Sequence, residues 1–204
     1  MGFYSRVIFP RLCEFSLNSK HVARHRKQLL ARASGDVLEI GIGTGLNLPH
    51  YPETVRRITA IDPNPGMHAK ALRRIEASSV EVDKHVLGGE SLPFDDGSFD
   101  CVVSTFTLCS IGEVDQAMSE FFRVLRPGGK FLFLEHGLSR EASVQKWQHR
   151  LNGLQRIVGD NCHLNRDIRQ IVDRQPHEST ECDEFYMEKT PRLFGYMYSG
   201  AAVR

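Results

Sequence analysis

The sequence predicts an α/β fold with a doubly wound, mostly parallel sheet. Three observations predict it. Short apolar runs alternate with helical patterns through the middle of the chain, as strands joined by crossover helices do. A glycine cluster follows the first apolar run directly. Two late β-like runs lie close together after a helical stretch, so they form a hairpin that adds an antiparallel edge.

Each element has a local reason. Residues 19–33 carry a helical pattern ahead of the first strand, Val37-Leu38-Glu39-Ile40. Residues 46–54 make a short helix or turn. The second strand, Arg57 to Asp62, ends in an acid. In residues 66–77, Met67, Ala71, Leu72 and Ile75 fall at helical spacing. Val80 to Leu87 reads as the third strand. The turn Asp95-Asp96-Gly97-Ser98 introduces the fourth, Asp100 to Thr105. Residues 113–125 read as a helix stopped by Pro127-Gly128-Gly129, and Lys130 to Glu135 as the fifth strand. Residues 141–175 mix helix and loop. Glu184 to Met187 and Phe194 to Tyr198 are the arms of the hairpin.

The chain has 204 residues, 41% of them hydrophobic and 25% charged, which fits one globular domain with a real core. The expected division is an N-terminal helical segment, residues 1–34, and a main domain, residues 35–204. A formal net charge of +1 gives no electrostatic case for a nucleic-acid partner. The five cysteines are scattered, with no C-x-x-C pair, so they indicate neither a disulfide framework nor a thiolate zinc site. Reduced thiols suit a cytoplasmic location. No apolar run approaches the roughly 20 residues of a membrane span.

Gly41, Gly43 and Gly45 fall just after the first strand, where an open α/β sheet binds its ligands. Asp62, at the end of the second strand, is placed to accept hydrogen bonds from both hydroxyls of a ribose. The dinucleotide fingerprint needs a third glycine at position 46, where Leu46 stands, and no G-K-[ST] phosphate loop is present. The spacing therefore fits a ligand with a ribose but no phosphate. S-adenosylmethionine is such a ligand.

The motifs Val37 to Gly45, Ile61-Asp62-Pro63-Asn64, Leu92 to Asp100 and Val124 to Lys130 resemble the successive motifs of class I, seven-stranded methyltransferases of the methyltransferase type 11 group. The resemblance covers residues 36–136. It implies a seven-stranded sheet closed by an antiparallel strand and a cofactor site at Glu39, Gly41, Gly43, Thr44, Gly45 and Asn47. Asp62 and Pro63 join that site, with adenine contacts near Gly89, Glu90 and Ser91, and further contacts at Thr105 and Phe106. A narrower set (Gly2-Phe3-Tyr4, Phe106 to Ser110, Asp160 to Arg166, Phe194-Gly195-Tyr196) looks like bacterial relatives of the methyltransferase-like 7 group, whose eukaryotic members are membrane-anchored alkyl thiol methyltransferases. The resemblance thus implies a small, apolar methyl acceptor, an alkyl thiol among the candidates.

Transfer from a sulfonium needs alignment above all, because the cofactor already activates the methyl group. A thiol acceptor needs little help to ionise; an amine or hydroxyl would need a base. His136 follows the fifth strand and is the first candidate for that base, with a structural histidine the competing reading. Asn161, Cys162, His163, Asn165 and Arg166 form a polar cluster that either lines the acceptor pocket or serves loop hydrogen bonding. The nine histidines show no metal-ligand spacing, so no metal site is expected. Near the N-terminus, Phe3, Tyr4, Val7, Ile8, Phe9, Leu12 and Phe15 make an apolar face, and a basic stretch follows from Lys20 to Arg32. Three readings stay open there: a lid with Tyr4 reaching inward, weak contact with a membrane surface, or an amphipathic helix packed on the domain. The competing functions are phospholipid or quinone-precursor methylation, a non-catalytic cofactor-binding module, and, most distantly, a nucleic-acid methyltransferase.

Overall fold

The computed structural model describes residues 2–204, leaving aside the side chains of His68 and Ala69; Met1, the first residue of the expected N-terminal segment, lies outside the described residues. A π-helical turn, Tyr4–Ile8, runs straight into α1 (Phe9–Leu17), and α2 (Lys20–Leu30) follows. Ser19 caps α2 by accepting from the amide of Val22 at 3.3 Å, satisfying one of the free N–H groups of the first turn. The strands are β1 (Gly35–Ile40), β2 (Val55–Ile61), β3 (Glu81–His85), β4 (Phe99–Thr105), β5 (Leu125–His136), β6 (Ser179–Tyr186) and β7 (Tyr196–Val203). Between them lie α3 (His68–Glu76), α4 (Val114–Val124), α5 (Ala142–Val158) and α6 (Ile168–Asp173).

The seven strands form one sheet in the order β3-β2-β1-β4-β5-β7-β6. Neighbours are parallel from β3 across to β5, and β7 is antiparallel to both β5 and β6. The winding reverses between β1 and β4, and the ends of these two strands open the crevice in which such sheets bind ligands. Side chains alternate across the sheet. On β5, Phe131 and Phe133 enter the core on the face covered by α4 and α6, while Leu132 and Leu134 enter the one covered by α2.

The expected elements form, with differences that have physical causes. The hairpin adds the expected antiparallel edge: its second arm, β7, pairs with β5, and its first arm, β6, is the outer strand. The second arm starts at Tyr196 and runs on to Val203, because Gly200, Ala201 and Ala202 lie between two partner strands and are buried. Small residues carry little strand propensity on their own, so the run looked shorter in sequence. Strand β5 likewise begins at Leu125, five residues before the expected Lys130, and the Pro127-Gly128-Gly129 helix stop lies inside it. No described helix is long and apolar enough to cross a membrane.

Candidate active site

A cavity of about 330 Å³ opens over the carboxyl ends of β1, β2 and β4. Gly41, Gly43 and Thr44 from the loop after β1 line it, with Asp62, Pro63 and Asn64 after β2. Gly88, Gly89 and Glu90 line its far end; Thr105, Phe106, Thr107, Ser110 and Ile111 line the β4 side. Phe9, Cys13 and Leu17 of α1, with Asp160 and Asn161, cover it.

The glycine loop has the shape it has because β1 stops pairing there. Gly41 and Ile42 both donate to the carbonyl of Ile61, at 2.8 and 3.1 Å, which turns the chain sharply. Gly41 has φ of 71°, and a Cβ built on it would lie 2.3 Å from Thr107 Oγ1. Only glycine fits such a position. Asp62 braces the loop from below: its carboxylate accepts from the amides of Gly43 (2.9 Å) and Asn64 (2.8 Å). Burial pushes the Asp62 carboxyl above its ordinary value, and those two amides hold it partly back.

Several expected cofactor residues stand behind the cavity wall. Glu39 is 1% exposed and accepts from Asn47 (2.9 Å) and from the Tyr51 hydroxyl (3.0 Å). Its burial raises it from 4.5 to about 7 against the pull of those two bonds. Asn47 also donates to Thr105 Oγ1 at 3.0 Å. Gly45, with φ of 81°, abuts Arg74 and Leu48. Ser91 is exposed and outside the lining, whereas Gly89 and Glu90 are in it.

The residue that sequence reasoning missed is Arg26. It lines the cavity although only 4% of it is exposed, and it donates to Asn47 Oδ1 (2.6 Å) and Thr105 Oγ1 (2.7 Å). Its guanidinium lies 5.1 Å from the ring centre of Phe106, a residue held at φ of 55°. Its Nε has no partner. Burial lowers Arg26 to about 10, so it stays protonated at neutral pH. Its signal was phase: Val22, Arg26, Leu29 and Leu30 share the buried face of α2, so an arginine sits where the apolar stripe runs.

The acceptor-side residues divide. Asn161 lines the cavity, at φ of 71°, and donates to the carbonyl of Ser110 at 2.9 Å. Tyr4 is outside the lining; its hydroxyl donates to the carbonyl of Val158, because the π-turn aims it along α5 rather than inward. His136 Nε2 lies 3.0 Å from Cys162 Sγ, and neither residue lines the cavity. A hydrogen bond with Cys109 and burial both push the Cys162 thiol up, which disfavours a free thiolate nucleophile. His163 is outside the lining too; desolvation and two arginines lower it to about 4, and its amide donates to the carbonyl of Cys109 at 2.8 Å. Asn165 bonds His149, and Arg166 donates to the carbonyls of Leu108 and Ile111.

A family described as "Methyltransferase domain" matches residues 38–133. The chain is 33% identical to thiol S-methyltransferase TMT1A of Homo sapiens over 170 residues, 78% of this chain and 69% of the relative. It is 38% identical to a phosphatidylethanolamine N-methyltransferase of Cereibacter sphaeroides over 104 residues, half of each. Among solved structures, a phosphoethanolamine N-methyltransferase of Haemonchus contortus in complex with S-adenosyl-L-methionine aligns with a TM-score of 0.67 at 16% identity, covering 96% of this chain and 60% of that one. The chain belongs to the S-adenosylmethionine-dependent methyltransferases of class I, in a group with the thiol S-methyltransferases. It is an enzyme whose cofactor is S-adenosylmethionine. The cavity fits that molecule: Gly41 leaves a cradle that a side chain would fill, and Arg26 offers an unpartnered donor in a buried wall.

Proposed function

We propose that this enzyme methylates small apolar thiols. The supporting observation is the composition of the acceptor side of the cleft. Phe9, Cys13, Leu17 and Ile111 give it an apolar wall, beside Ser110, Asn161 and Asp160, whose carboxylate accepts a hydrogen bond from the Ser5 hydroxyl at 2.8 Å. An apolar wall suits an acceptor that needs little help to ionise, and a thiol with a pKa of about 8.5 is one. The name of the human relative, aligned over most of both chains, points the same way.

When bound, S-adenosylmethionine supplies a methyl group already activated by its sulfonium charge. In this reading Asp62 accepts from the two ribose hydroxyls, and the amides of the glycine loop back the sugar. Arg26 holds the carboxylate of the methionyl end, which gives its free Nε a partner. Gly89 and Glu90 border the adenine, and Thr105 with Phe106 closes the β4 side. Residues 4–17 act as a lid: Asn64 donates to the carbonyl of Ser5 at 2.8 Å, and Phe9, Cys13 and Leu17 exclude water above the acceptor. Such positioning is worth about 7–11 kcal/mol of barrier at best.

Release of S-adenosylhomocysteine tests the proposal. Alkyl thiols are expected to raise it at least about tenfold over matched alcohols and amines. Turnover stimulated by phosphatidylethanolamine vesicles and not by thiols overturns it in favour of a lipid acceptor. Cofactor binding with no turnover on thiols, amines, phenols or lipids overturns it in favour of a binding module.

A further inference from the structure

Behind the acceptor wall, three donor atoms from distant parts of the chain converge. They are the sulfurs of Cys109 and Cys162 and the ring nitrogen of His136, and all lie within 4.8 Å of one another. His136 Nε2 and Cys162 Sγ are 3.0 Å apart. Both cysteines are buried, at 2% and 8% exposed, and all five cysteines of the chain are free thiols. The Nδ1 atom of His136 is buried without a hydrogen-bond partner.

The backbone holds the three in place. His136 ends β5, whose pairing with β7 extends to His136 and Met197. The loop carrying Cys109 and the loop carrying Cys162 are tied by the His163 amide on the Cys109 carbonyl (2.8 Å) and by the Asn161 side chain on the Ser110 carbonyl (2.9 Å). The methyl-transfer scheme above uses none of the three residues.

We propose that Cys109, His136 and Cys162 bind a thiophilic divalent cation of the zinc class. Two thiolates and an imidazole are the donor set such an ion prefers over magnesium or calcium, and the Cys109 and Cys162 thiols would each release a proton to solvent as the ion binds. A tetrahedral ion about 2.3 Å from sulfur and about 2.0 Å from nitrogen sets its donors roughly 3.5–3.8 Å apart. The His136–Cys162 contact, at 3.0 Å, opens slightly to reach that, and Cys109, within 4.8 Å of both, adjusts to the same spacing. Three protein ligands leave a fourth position, as catalytic zinc sites do. Cys109 Sγ lies 3.5 Å from Ser110 Oγ, and Ser110 lines the cleft, so a fourth ligand coming from the acceptor side would enter past Ser110. There the ion would bind an acceptor sulfur as its thiolate, the thiol proton passing to solvent. That last role rests on the thiol reading; the ion site itself does not.

The test uses the full chain, reduced and freed of metal, titrated with cobalt(II) as an absorbing stand-in for zinc. One equivalent of cobalt is expected, with thiolate-to-metal charge-transfer absorption and tetrahedral visible bands. C109S, C162S and H136N should each weaken it by about tenfold or more, while C182S, on β6, should not. S-adenosylmethionine affinity, measured on every variant, reports that each is folded; its absence in the parent chain would sink the methyltransferase reading instead. A parent chain that binds the cofactor but takes up no more cobalt than a C109S/C162S variant overturns the ion site. Visible bands that shift on adding an alkyl thiol support the open position, and bands that ignore it overturn that role.

Discussion

Two walls of one cleft are put together in different ways. On the cofactor side, Gly43 and Asp62 are 19 residues apart and joined through one β–loop–β unit. On the acceptor side, Asn161 reaches Ser110 across 51 residues and Arg166 reaches Ile111 across 55. The first wall is backbone geometry at the ends of adjacent parallel strands, so its residues appear as compact motifs. The second is side chains from loops after β4, β5 and α5, with α1 laid over them. In the proposed reading the ligand common to the family sits on the first wall and the variable acceptor on the second.

Substitutions that separate the walls test this contrast. The largest effect is expected on the cofactor side. If Asp62 accepts from the two ribose hydroxyls as proposed, Asp62→Ala should cut S-adenosylmethionine affinity by about 100-fold or more in calorimetry. An affinity within a few-fold of the parent would break the assignment of the ribose to Asp62.

pH sharpens the comparison next. Burial raises Asp62, and ribose binding needs its ionised form, so cofactor affinity should fall about tenfold per pH unit below that raised value. The fall should begin above the ordinary aspartate range. The contribution of Glu39 to folding stability takes the opposite sign. Glu39 is raised from 4.5 to about 7, so its contribution is fully present below about pH 4.5 and lost as pH rises toward about 7. Across this window, cofactor affinity from calorimetry and the Glu39 contribution to stability, read as the difference in thermal unfolding between the parent and Glu39→Gln, should therefore move in opposite directions. Parallel movement would mean that the acid-side loss is only unfolding.

The smallest effect belongs to the lid. Phe9→Ala trims apolar surface over the acceptor and should raise the KM for an alkyl thiol about threefold to tenfold. Cofactor affinity should stay within about twofold. A larger loss of cofactor affinity than of thiol KM would assign Phe9 to the first wall instead.

Gly41, Gly43 and Asp62 were legible because each answers a local demand: a turn at the end of a strand, a close approach, an acid at the next strand's end. Glu39 and Asn47 were legible as part of the motif, but their place behind the wall was not. Both are drawn inward by Arg26 and Tyr51, partners the motif does not contain. Arg26 itself hid in a basic stretch, and Tyr4 looked like an inward group on a lid whose first turn aims it elsewhere.

The sequence by itself determined the α/β class, the strand ends that carry the glycine loop and Asp62, and through them the cofactor. Those follow from periodicity, glycine conformations and short-range spacing, which are properties of neighbouring residues. Only the tertiary structure decided that β7 lies inside the sheet, that Arg26 faces the cleft, and that Cys109, His136 and Cys162 meet. The scattered spacing of the cysteines and histidines gave no sign of that last group. Its members are brought together by packing of β5 against β4 and by loop-to-loop hydrogen bonds, and such long-range convergence leaves no period in a linear chain.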